Sequence, residues 1–415
     1  MTEPSELPEL PVEPVESNPE SQRRLYLKKN EERRLLAGHL WIYSNEVDTV
    51  KSPLKMCQAG EQVIVHTSRG KPIAMACVNP QSLICARVYS NLPGEMMSVE
   101  LIERRIAAAL ALRETFYNEP YYRLIHGEGD WLPGVIVDRY GDYLVMQINT
   151  AGMQAVQDLL IEALVLQLKP AGIFLRNSGA FRALEGLPQE DCLAFGEVPD
   201  STTIVENGVR YNIPLKTGQK TGWFYDHRDN RLALQGFSQG KRVLDAYSYL
   251  GGWGLNALKG GAEHVTAVDS SSAAVEGGEC NAALNDFADK WTGIKGDVGA
   301  VLRNLRDGGE QFDVVVLDPP AFIQRAKDKR KGVEKYRSIN ALASGLLATG
   351  GVLVSCSCSH HLVDAELQRA VLHAGRNRGY GVQLIARGHQ GRDHPVNAAI
   401  PETEYLKAVF ARMLG

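Results

Sequence analysis

The stretch RVLDAYSYLGGWGLNALKGGAEHVTAVDSS, residues 242–271, decides the fold of this chain. Its two short β-prone runs, RVLDAYS and HVTAVDSS, flank a run with helical periodicity that ends in glycines. A strand, a helix and a second strand in this order are typical of a parallel βαβ unit. The alternation continues through FDVVVLDPP, YRSINALASGLLATGG, GVLVSCS and DAELQRAVLHAGRNRG. The sequence therefore predicts an α/β domain with a parallel, doubly wound sheet over residues 206–415.

Two smaller units are expected upstream of this sheet. Residues 23–96 contain short alternating runs, EQVIVHTS, PIAMACV and SLICARVYS, which are broken by Gly and Pro and predict a small β-barrel. Residues 97–205 contain a long helical run and then β-prone runs around a second helix, which predicts an α+β middle domain. The pair Asn207-Gly208 between two β-prone runs predicts a hairpin.

The composition is ordinary for a globular protein, with 44% apolar and 23% charged residues. The apolar runs are too short for a membrane helix and the N-terminus has no signal-peptide pattern, so we expect a cytoplasmic protein. Seven cysteines spread over 415 residues do not indicate a disulfide framework. The Pro- and Glu-rich residues 1–22 predict a disordered acidic tail. The oligomeric state stays open, and a homodimer is compatible with the sequence.

Carboxylates and glycines follow the predicted strands. The residues at these strand ends are Asp245, Gly251, Gly252, Asp269, Asp297 and Asp318. Ligands of a doubly wound sheet bind beyond the C-terminal ends of its strands, where carboxylates can meet a ribose and an adenine edge. The glycines lack the G-x-G-x-x-G spacing of a dinucleotide site, so a nucleoside without a phosphate cradle, S-adenosylmethionine, is the expected ligand. The alternative is that each aspartate only caps the next helix.

Basic side chains are clustered in two places. Lys28 and Lys29 lie in the predicted barrel, and Lys329, Arg330, Lys331 and Arg337 lie in the predicted loop QRAKDKRKGVEKYR at the mouth of the expected site. Such clusters are typical of contacts to RNA phosphates, although a solvated charged face is the alternative. Phe322 could stack on an extruded base or form a hydrophobic lid.

Several motifs together resemble one enzyme family. They are GQKTGWFYDHRDNR, DAYSYLGGWGL, VTAVDSS, VVLDPPAF, VSCSCS and DHP…PETEYLK. The chain from about residue 23 onward is similar to the bacterial large-subunit (23S) ribosomal RNA cytosine-5 methyltransferases. That family combines an RNA-binding PUA domain, an α+β middle domain and a Rossmann-like class I methyltransferase domain. The resemblance implies S-adenosylmethionine as the cofactor and large-subunit ribosomal RNA as the partner.

The resemblance also implies roles for single residues. Asp245, Tyr247, Gly251 and Gly252 would hold the methionine end of the cofactor, Asp269 its ribose and Asp297 its adenine. Lys220, Phe224, Asp226 and Arg228 would close the cofactor pocket. Asp318 would border the cofactor and contact the target base as an acid. The second cysteine that many RNA cytosine-5 methyltransferases carry after the paired prolines is replaced here by Ala321.

In this family the nucleophile is a cysteine at the end of the fifth strand, and SCSCS offers two registers for it. Cys358 lies nearer the expected rim than Cys356, so we predict that Cys358 adds to C6 of cytosine and activates C5. Zinc binding through C-x-C and the following histidines, a redox dithiol and two inert buried cysteines are the alternatives.

Competing functions are methylation of another atom, such as guanine N7, and a non-catalytic RNA-binding assembly factor. A small-molecule methyltransferase is a weaker competitor, since it would not need an RNA-binding barrel.

Overall fold

The structure, a computed structural model, describes residues 22–219 and 221–415. Lys220 and all of the predicted acidic tail except its last residue lie outside the described residues. No helix within the described part of the chain has the length and apolar character needed to span a bilayer.

The N-terminal unit is a small barrel, as predicted. Its elements are β1 (Arg24–Tyr26), α1 (Glu32–Leu36), β2 (Trp41–Tyr43), β3 (Gln62–His66), β4 (Pro72–Val78) and β5 (Ile84–Ser90). The sheet order is β1-β3-β4-β5-β2. An isolated bridge between Leu27 and Val47 joins the two outer strands and closes the barrel. Alternate residues such as Val63 and Val65 fill its interior.

The middle unit is a five-stranded sheet covered by helices. Its elements are α2 (Val99–Phe116), β6 (Tyr121–His126), β7 (Val135–Tyr140), β8 (Tyr143–Ile148), α3 (Ala151–Gln154), α4 (Gln157–Leu168), β9 (Gly172–Arg176), α5 (Ala180–Leu184) and β10 (Asp191–Gly196). The strand order is β10-β9-β8-β7-β6, with β8 and β9 parallel. The side chains of α2 and α4 that face the sheet, such as Ile102 and Leu160, form its core.

A hairpin of β11 (Ser201–Glu206) and β12 (Val209–Pro214) follows. Asn207 and Gly208 have φ angles of 54° and 75°, the left-handed pair that a tight two-residue turn requires, so the hairpin prediction is confirmed. Ile204 and Tyr211 pack in one cluster with Trp253 of the last unit. The hairpin therefore packs with the last unit, and the expected domain boundary at 205/206 lies inside β11.

The last unit is a seven-stranded doubly wound sheet. Its elements are α6 (Arg228–Gln235), β13 (Arg242–Ala246), α7 (Gly252–Lys259), β14 (His264–Asp269), α8 (Ser272–Leu284), β15 (Trp291–Lys295), α9 (Val298–Asp307), β16 (Phe312–Leu317), α10 (Lys329–Ser344), β17 (Leu347–Ser357), α11 (Asp364–Arg376), β18 (Gly381–Gly388) and β19 (Lys407–Leu414). The order β15-β14-β13-β16-β17-β19-β18 confirms the α/β, Rossmann-like fold class.

The structure corrects two details of this unit. The sheet is not entirely parallel, because β19 lies between β17 and β18 and is antiparallel to both. An antiparallel strand can enter there without a crossover helix. The basic segment is also not all loop, since α10 begins at Lys329. Gly332 lets the helix approach the preceding loop: a Cβ there would lie 2.9 Å from the carbonyl oxygen of Phe322.

Candidate active site

Five parallel strands, β13 to β17, end along one edge of the large sheet. Leu317 is level with Ser355 in the pairing of β16 and β17, so Asp318 is level with Cys356. Cys358 then lies two residues further toward the rim, which is about 6–7 Å along an extended chain. The neighbouring strand β13 brings Asp245 to the same edge.

Asp245 is a fully buried carboxylate at the end of β13. Its Oδ2 accepts a 2.8 Å hydrogen bond from the Gly254 amide, while Oδ1 is buried and has no donor among the described residues. Burial raises the pKa of Asp245 to about 7, and the nearby charges of Asp318 and Asp269 add to the shift. A carboxylate with this environment is suited to a cationic ligand group, such as an ammonium.

The turn after β13 is held by Asp269. The Tyr249 amide donates to Oδ2 of Asp269 at 3.0 Å, and the Ser271 amide donates to Oδ1 at 2.9 Å. Tyr247 and Tyr249 have φ angles of 68° and 48°, a left-handed conformation that non-glycine residues rarely adopt. Asp269 therefore orders a strained turn beside the predicted cofactor site.

The two glycines of the turn are required by close packing. Gly251 has a φ of 86° and begins α7 as its N-cap. A Cβ at Gly252 would lie 3.0 Å from Nη1 of Arg231 and 3.2 Å from Trp223. The absence of a side chain at Gly252 therefore lets the backbone of the turn come close to Arg231 and Trp223.

Asp297 is exposed, and its Oδ1 caps α9 by accepting from the Ala300 amide at 2.9 Å. Asp297 therefore caps the next helix, which was the alternative role for the aspartates at the strand ends. Burial raises the pKa of Tyr247 to about 12, and the nearby Asp297 carboxylate adds to the rise, so the two residues border the same space. A contact of Asp297 with adenine stays a prediction.

Asp318 receives a donor on each carboxylate oxygen. Nε1 of Trp253 donates to Oδ2 at 3.0 Å, and Nε2 of His227 lies 3.2 Å from Oδ1. Burial alone would raise the pKa of Asp318, but the electrostatic attraction to His227 and these two hydrogen bonds outweigh burial and lower it. The Asp318 side chain keeps 23% of its surface exposed, so a ligand can still reach the carboxylate.

The two cysteines have different surroundings. Cys356 is fully buried in the core, and burial raises the pKa of its thiol well above the usual range, with the charges of Asp318 and Cys358 adding to the shift. Cys358 is half-buried. Burial raises the pKa of Tyr405, and Asp226 and then Cys358 contribute to that rise, so the thiol lies near the Tyr405 ring.

Serines alternate with these cysteines along the chain. Their side chains point to the opposite face of β17, where two of them make hydrogen bonds to α10. The hydroxyl of Ser357 donates to the Tyr336 hydroxyl at 2.8 Å, and Ser359 lies 3.0 Å from the same hydroxyl. The Ile323 amide donates to Oγ of Ser359 at 3.2 Å, which ties the loop after Asp318 to the end of β17.

The segment before α6 brings further predicted residues to this edge. Phe224 packs edge-to-face on Tyr249 with ring centroids 5.4 Å apart. Asp226 accepts a 2.7 Å hydrogen bond from the Tyr405 hydroxyl. Arg228 instead lies over the Tyr117 ring at 3.9 Å and within 3.8 Å of Asp393. Its contacts join the middle and last units, so its place at the cofactor stays a prediction.

The predicted RNA-binding residues lie on the surface. Arg330, Lys331 and Arg337 are exposed on α10, and Lys329 pairs with Glu366 at 3.0 Å. The Phe322 ring packs 4.8 Å from Tyr336, and Nζ of Lys335 lies 5.7 Å from the Phe322 ring centroid.

In the barrel, Lys28 and Lys29 are exposed, and Lys28 donates to the Asn45 carbonyl oxygen at 2.7 Å.

The sequence did not single out His227, Trp253, Tyr336 or Tyr405, which line the site from other segments. His227, Asp318 and Cys356 form the one group of three metal-ligand types found among residues 22–219 and 221–415, with donor atoms within 4.8 Å of one another. Since His227 and Asp318 contact each other directly, a hydrogen bond accounts for this group without an ion.

The residues along this edge fit S-adenosylmethionine. The Oδ1 atom of Asp245, buried and with no donor from the described residues, suits the ammonium of the methionine end. The glycine turn leaves room for a close approach, and Asp269 stands one strand over, where a ribose is expected.

Comparisons with known proteins agree with the fold and the cofactor. Residues 25–91 match the family described as a PUA-like domain, and residues 123–371 match the S-adenosylmethionine-dependent methyltransferase family. The chain is 38% identical to the ribosomal RNA large subunit methyltransferase I of Aliivibrio fischeri strain MJ11 over 396 residues, 94% of this chain and 99% of that protein.

Two solved structures share the whole fold. One is described as a SAM-dependent methyltransferase from Streptococcus mutans, with a TM-score of 0.80 and 19% identity. The other is a methyltransferase complexed with SAH, with a TM-score of 0.81 and 19% identity. Each comparison covers 94% of this chain and 100% of the other. The chain therefore belongs to the family of the ribosomal RNA large subunit methyltransferases I, with S-adenosylmethionine as its cofactor.

Proposed function

We propose that this chain methylates C5 of a cytosine in large-subunit ribosomal RNA, and that Cys358 forms a covalent bond to C6 during the reaction. The names of the relatives support a ribosomal RNA substrate, and this substrate implies that the chain works in the cytoplasm. Homodimer formation stays a prediction.

The single observation that carries the covalent mechanism is the contrast between the two cysteines. Cys358 lies half-buried beyond the end of β17, whereas Cys356 is fully buried and its pKa is raised well above the usual range. Only a thiolate is an effective nucleophile, and it must reach its target. Cys358 meets the second condition at the rim, and Cys356 does not.

The proposed roles follow from positions along the rim. S-adenosylmethionine, when bound by Asp245, the glycine turn and Asp269, supplies an electrophilic methyl group for C5. The Cys358 thiolate adds to C6 and raises the electron density at C5. Asp318 contacts the N3 and 4-amino side of the ring, where its carboxylate accepts a hydrogen bond from the 4-amino group and holds the ring in place for the attack. A base, either water or another side chain, then takes the C5 proton, and the electron pair of that bond re-forms the C5–C6 double bond as the C6–S bond breaks and the thiolate leaves.

The exposed basic face of α10 lies next to the loop that carries Asp318. The helix contacts this loop through Gly332 and Tyr336, so phosphates bound by Arg330 and Lys331 would lie near the target base. We propose that this face and the PUA-like barrel bind the RNA together.

The test is an incubation of the purified chain with isotopically labelled S-adenosylmethionine and unmodified large-subunit ribosomal RNA, followed by digestion to nucleosides and mass spectrometry. Labelled 5-methylcytidine is the expected product. Label in a guanosine would overturn the cytosine proposal and favour methylation of another atom. Absence of label together with normal cofactor binding would favour a non-catalytic RNA-binding factor.

A further inference from the structure

His227 makes a direct contact with Asp318, the carboxylate that faces the target base in the proposed reaction. It ends the short 3-10 turn Tyr225–His227 that precedes α6, and only 5% of its side chain is exposed. Its Nε2 lies 3.2 Å from Oδ1 of Asp318, opposite the oxygen that Trp253 binds at 3.0 Å. The two aromatic rings also pack together, with centroids 5.1 Å apart. His227 and Trp253 thus hold the carboxylate from both sides.

The hydrogen bonds around His227 define which ring nitrogen carries the hydrogen. Nδ2 of Asn230 lies 3.2 Å from Nδ1 of His227 and donates to the His389 carbonyl oxygen at 3.0 Å. An amide NH2 group has two hydrogens, so it can serve both acceptors. Nδ1 of His227 then accepts, and Nε2 carries the hydrogen that points to Asp318.

The groups around this pair are mostly acidic or neutral. Asp226 adjoins His227 on the same turn, and Asp245 comes from β13. Cys356 of β17 lies within 4.8 Å of the pair, and the other neighbours, Asn230 and Trp253, are neutral. Burial and the nearby acids oppose ionisation of Asp318, and His227 is the larger of the two neighbours that favour its carboxylate form, the other being the Trp253 hydrogen bond.

We propose that His227 is a positioning residue, which orients Asp318 and keeps it ionised as the hydrogen-bond acceptor for the 4-amino group of the target cytosine. This inference rests on the proposed cytosine-5 function. A carboxylate pairs with the 4-amino group of cytosine, which is a donor. A carboxyl group that burial had protonated would have lost part of that acceptor capacity.

Two substitutions separate this role from a packing role. His227→Gln places an amide NH2 near the position of Nε2 and keeps the hydrogen bond to Asp318. His227→Asn can keep the contact with Asn230 but is too short to reach Asp318. The rate of a single turnover on unmodified large-subunit ribosomal RNA should fall about 10- to 100-fold in His227→Asn, the range for loss of a charge-assisted hydrogen bond. We expect His227→Gln to stay within about 3-fold of wild type.

The dependence of the reaction rate on pH distinguishes the two roles, because a residue that only fills space would not change it. Without His227, burial is no longer offset and the pKa of Asp318 rises. The acid limb of the rate profile should therefore shift to higher pH in His227→Asn and stay near that of the wild type in His227→Gln, which keeps the hydrogen bond to Asp318. Trp253→Phe, which removes the other donor, should shift the limb in the same direction if His227→Asn does not fold.

An unmoved acid limb, or equal losses in the Gln and Asn variants with unchanged cofactor affinity, would overturn this role. The proposed function is checked separately with RNA that contains 5-fluorocytidine. Fluorine replaces the C5 hydrogen that a base must remove, so the thiolate cannot leave and stays bonded to C6. Failure of the wild type to form that adduct would refute the covalent function itself. Adduct formation at the same rate by wild type and His227→Asn would refute only the inference about His227.

Discussion

The Ser357 hydroxyl donates a 2.8 Å hydrogen bond to the hydroxyl of Tyr336 on α10. Side chains of a strand alternate between its two faces, so this bond fixes Ser357 toward α10 and Cys356 toward the opposite face, where Cys356 packs in the core. The serine contacts therefore fix the face of β17 on which the cysteines lie, and Cys358 reaches the rim because it follows Ser357, the last residue of β17.

Substitution of the two cysteines should give different results. Cys358→Ala should abolish methyl transfer and the adduct with 5-fluorocytidine RNA, because it removes the proposed nucleophile. Cys356→Ala should keep the rate within a few-fold of wild type and lower the free energy of unfolding by about 1–2 kcal/mol through the lost buried volume. Labelled methyl transfer and urea unfolding measure the two effects. A fully active Cys358→Ala enzyme would contradict the mechanism.

Asp245→Asn should stabilise the free protein in a pH-dependent way. The pKa of Asp245 is about 7 in the fold and about 3.9 when unfolded, so the folded state binds the extra proton and loses stability as pH rises from about 4 to 7. Asparagine removes this loss and can still accept from the Gly254 amide. The gain in unfolding free energy should be about 3 kcal/mol larger at pH 8 than at pH 5.

The same Asp245→Asn variant should bind S-adenosylmethionine much more weakly in calorimetry, because the partner of the ammonium has lost its charge. Asp297→Asn is the matched control for stability, since Asp297 is exposed and asparagine also caps helices. If Asp245→Asn raised the free energy of unfolding equally at pH 5 and pH 8, burial would not raise the pKa of the Asp245 carboxyl group.

Neutralising the exposed cations of α10 should weaken RNA binding. In the double variant Arg330→Gln/Lys331→Gln, the slope of log affinity against log salt concentration should become less steep by about 2, one per lost phosphate contact. Cofactor affinity should not change. The charge-matched control is Lys241→Gln/Arg242→Gln, at the start of β13 and hence at the opposite edge of the sheet. Equal salt slopes for both variants would place the RNA elsewhere.

Arg113→Met should destabilise the junction of the middle and last units. Arg113 is fully buried, donates to both oxygens of Asp130 at 2.6 and 2.7 Å, and donates to the Asp393 carbonyl oxygen at 2.8 Å. Its loss leaves Asp130 without its buried cation, which costs about 3–5 kcal/mol of unfolding free energy. Arg104→Met, on the exposed side of the same helix, should cost less than about 1 kcal/mol in the same urea titration.

Local patterns were sufficient to predict most of the last unit. The helices and strands from β13 to α11 have clear periodicity, and the strand-end positions of Asp245, Asp269 and Asp318 followed from it. The position of β19 was not predictable in this way, because its neighbours are set by pairing with β17 across the sheet. The start of α10 was missed because the basic run QRAKDKRKGVEKYR was interpreted as a loop, whereas its second half is helical and packs on the segment of Phe322 through Gly332.

The sequence predicted site residues that belong to a local motif, but it did not predict contacts between segments that are far apart in the chain. His227 lies in the quoted motif with DHRDNR, yet nothing in its spacing indicates a contact with Asp318, which is 91 residues later in the chain. Tyr405 reaches Asp226 across 179 residues. Such contacts depend on the tertiary arrangement of strands, so a single sequence carries no periodic signal for them.

The inserted position of β19 has a consequence for the timing of activity during synthesis. Of the described strands, β19 is made last, yet it lies inside the sheet and its first residue, Lys407, donates to the Ser359 carbonyl oxygen beside Cys358. While a ribosome is still translating this region, β17 has no partner on this side, and Cys358, the proposed nucleophile, lacks the support of Lys407. A nascent chain therefore completes the proposed site only after β19 has emerged and paired.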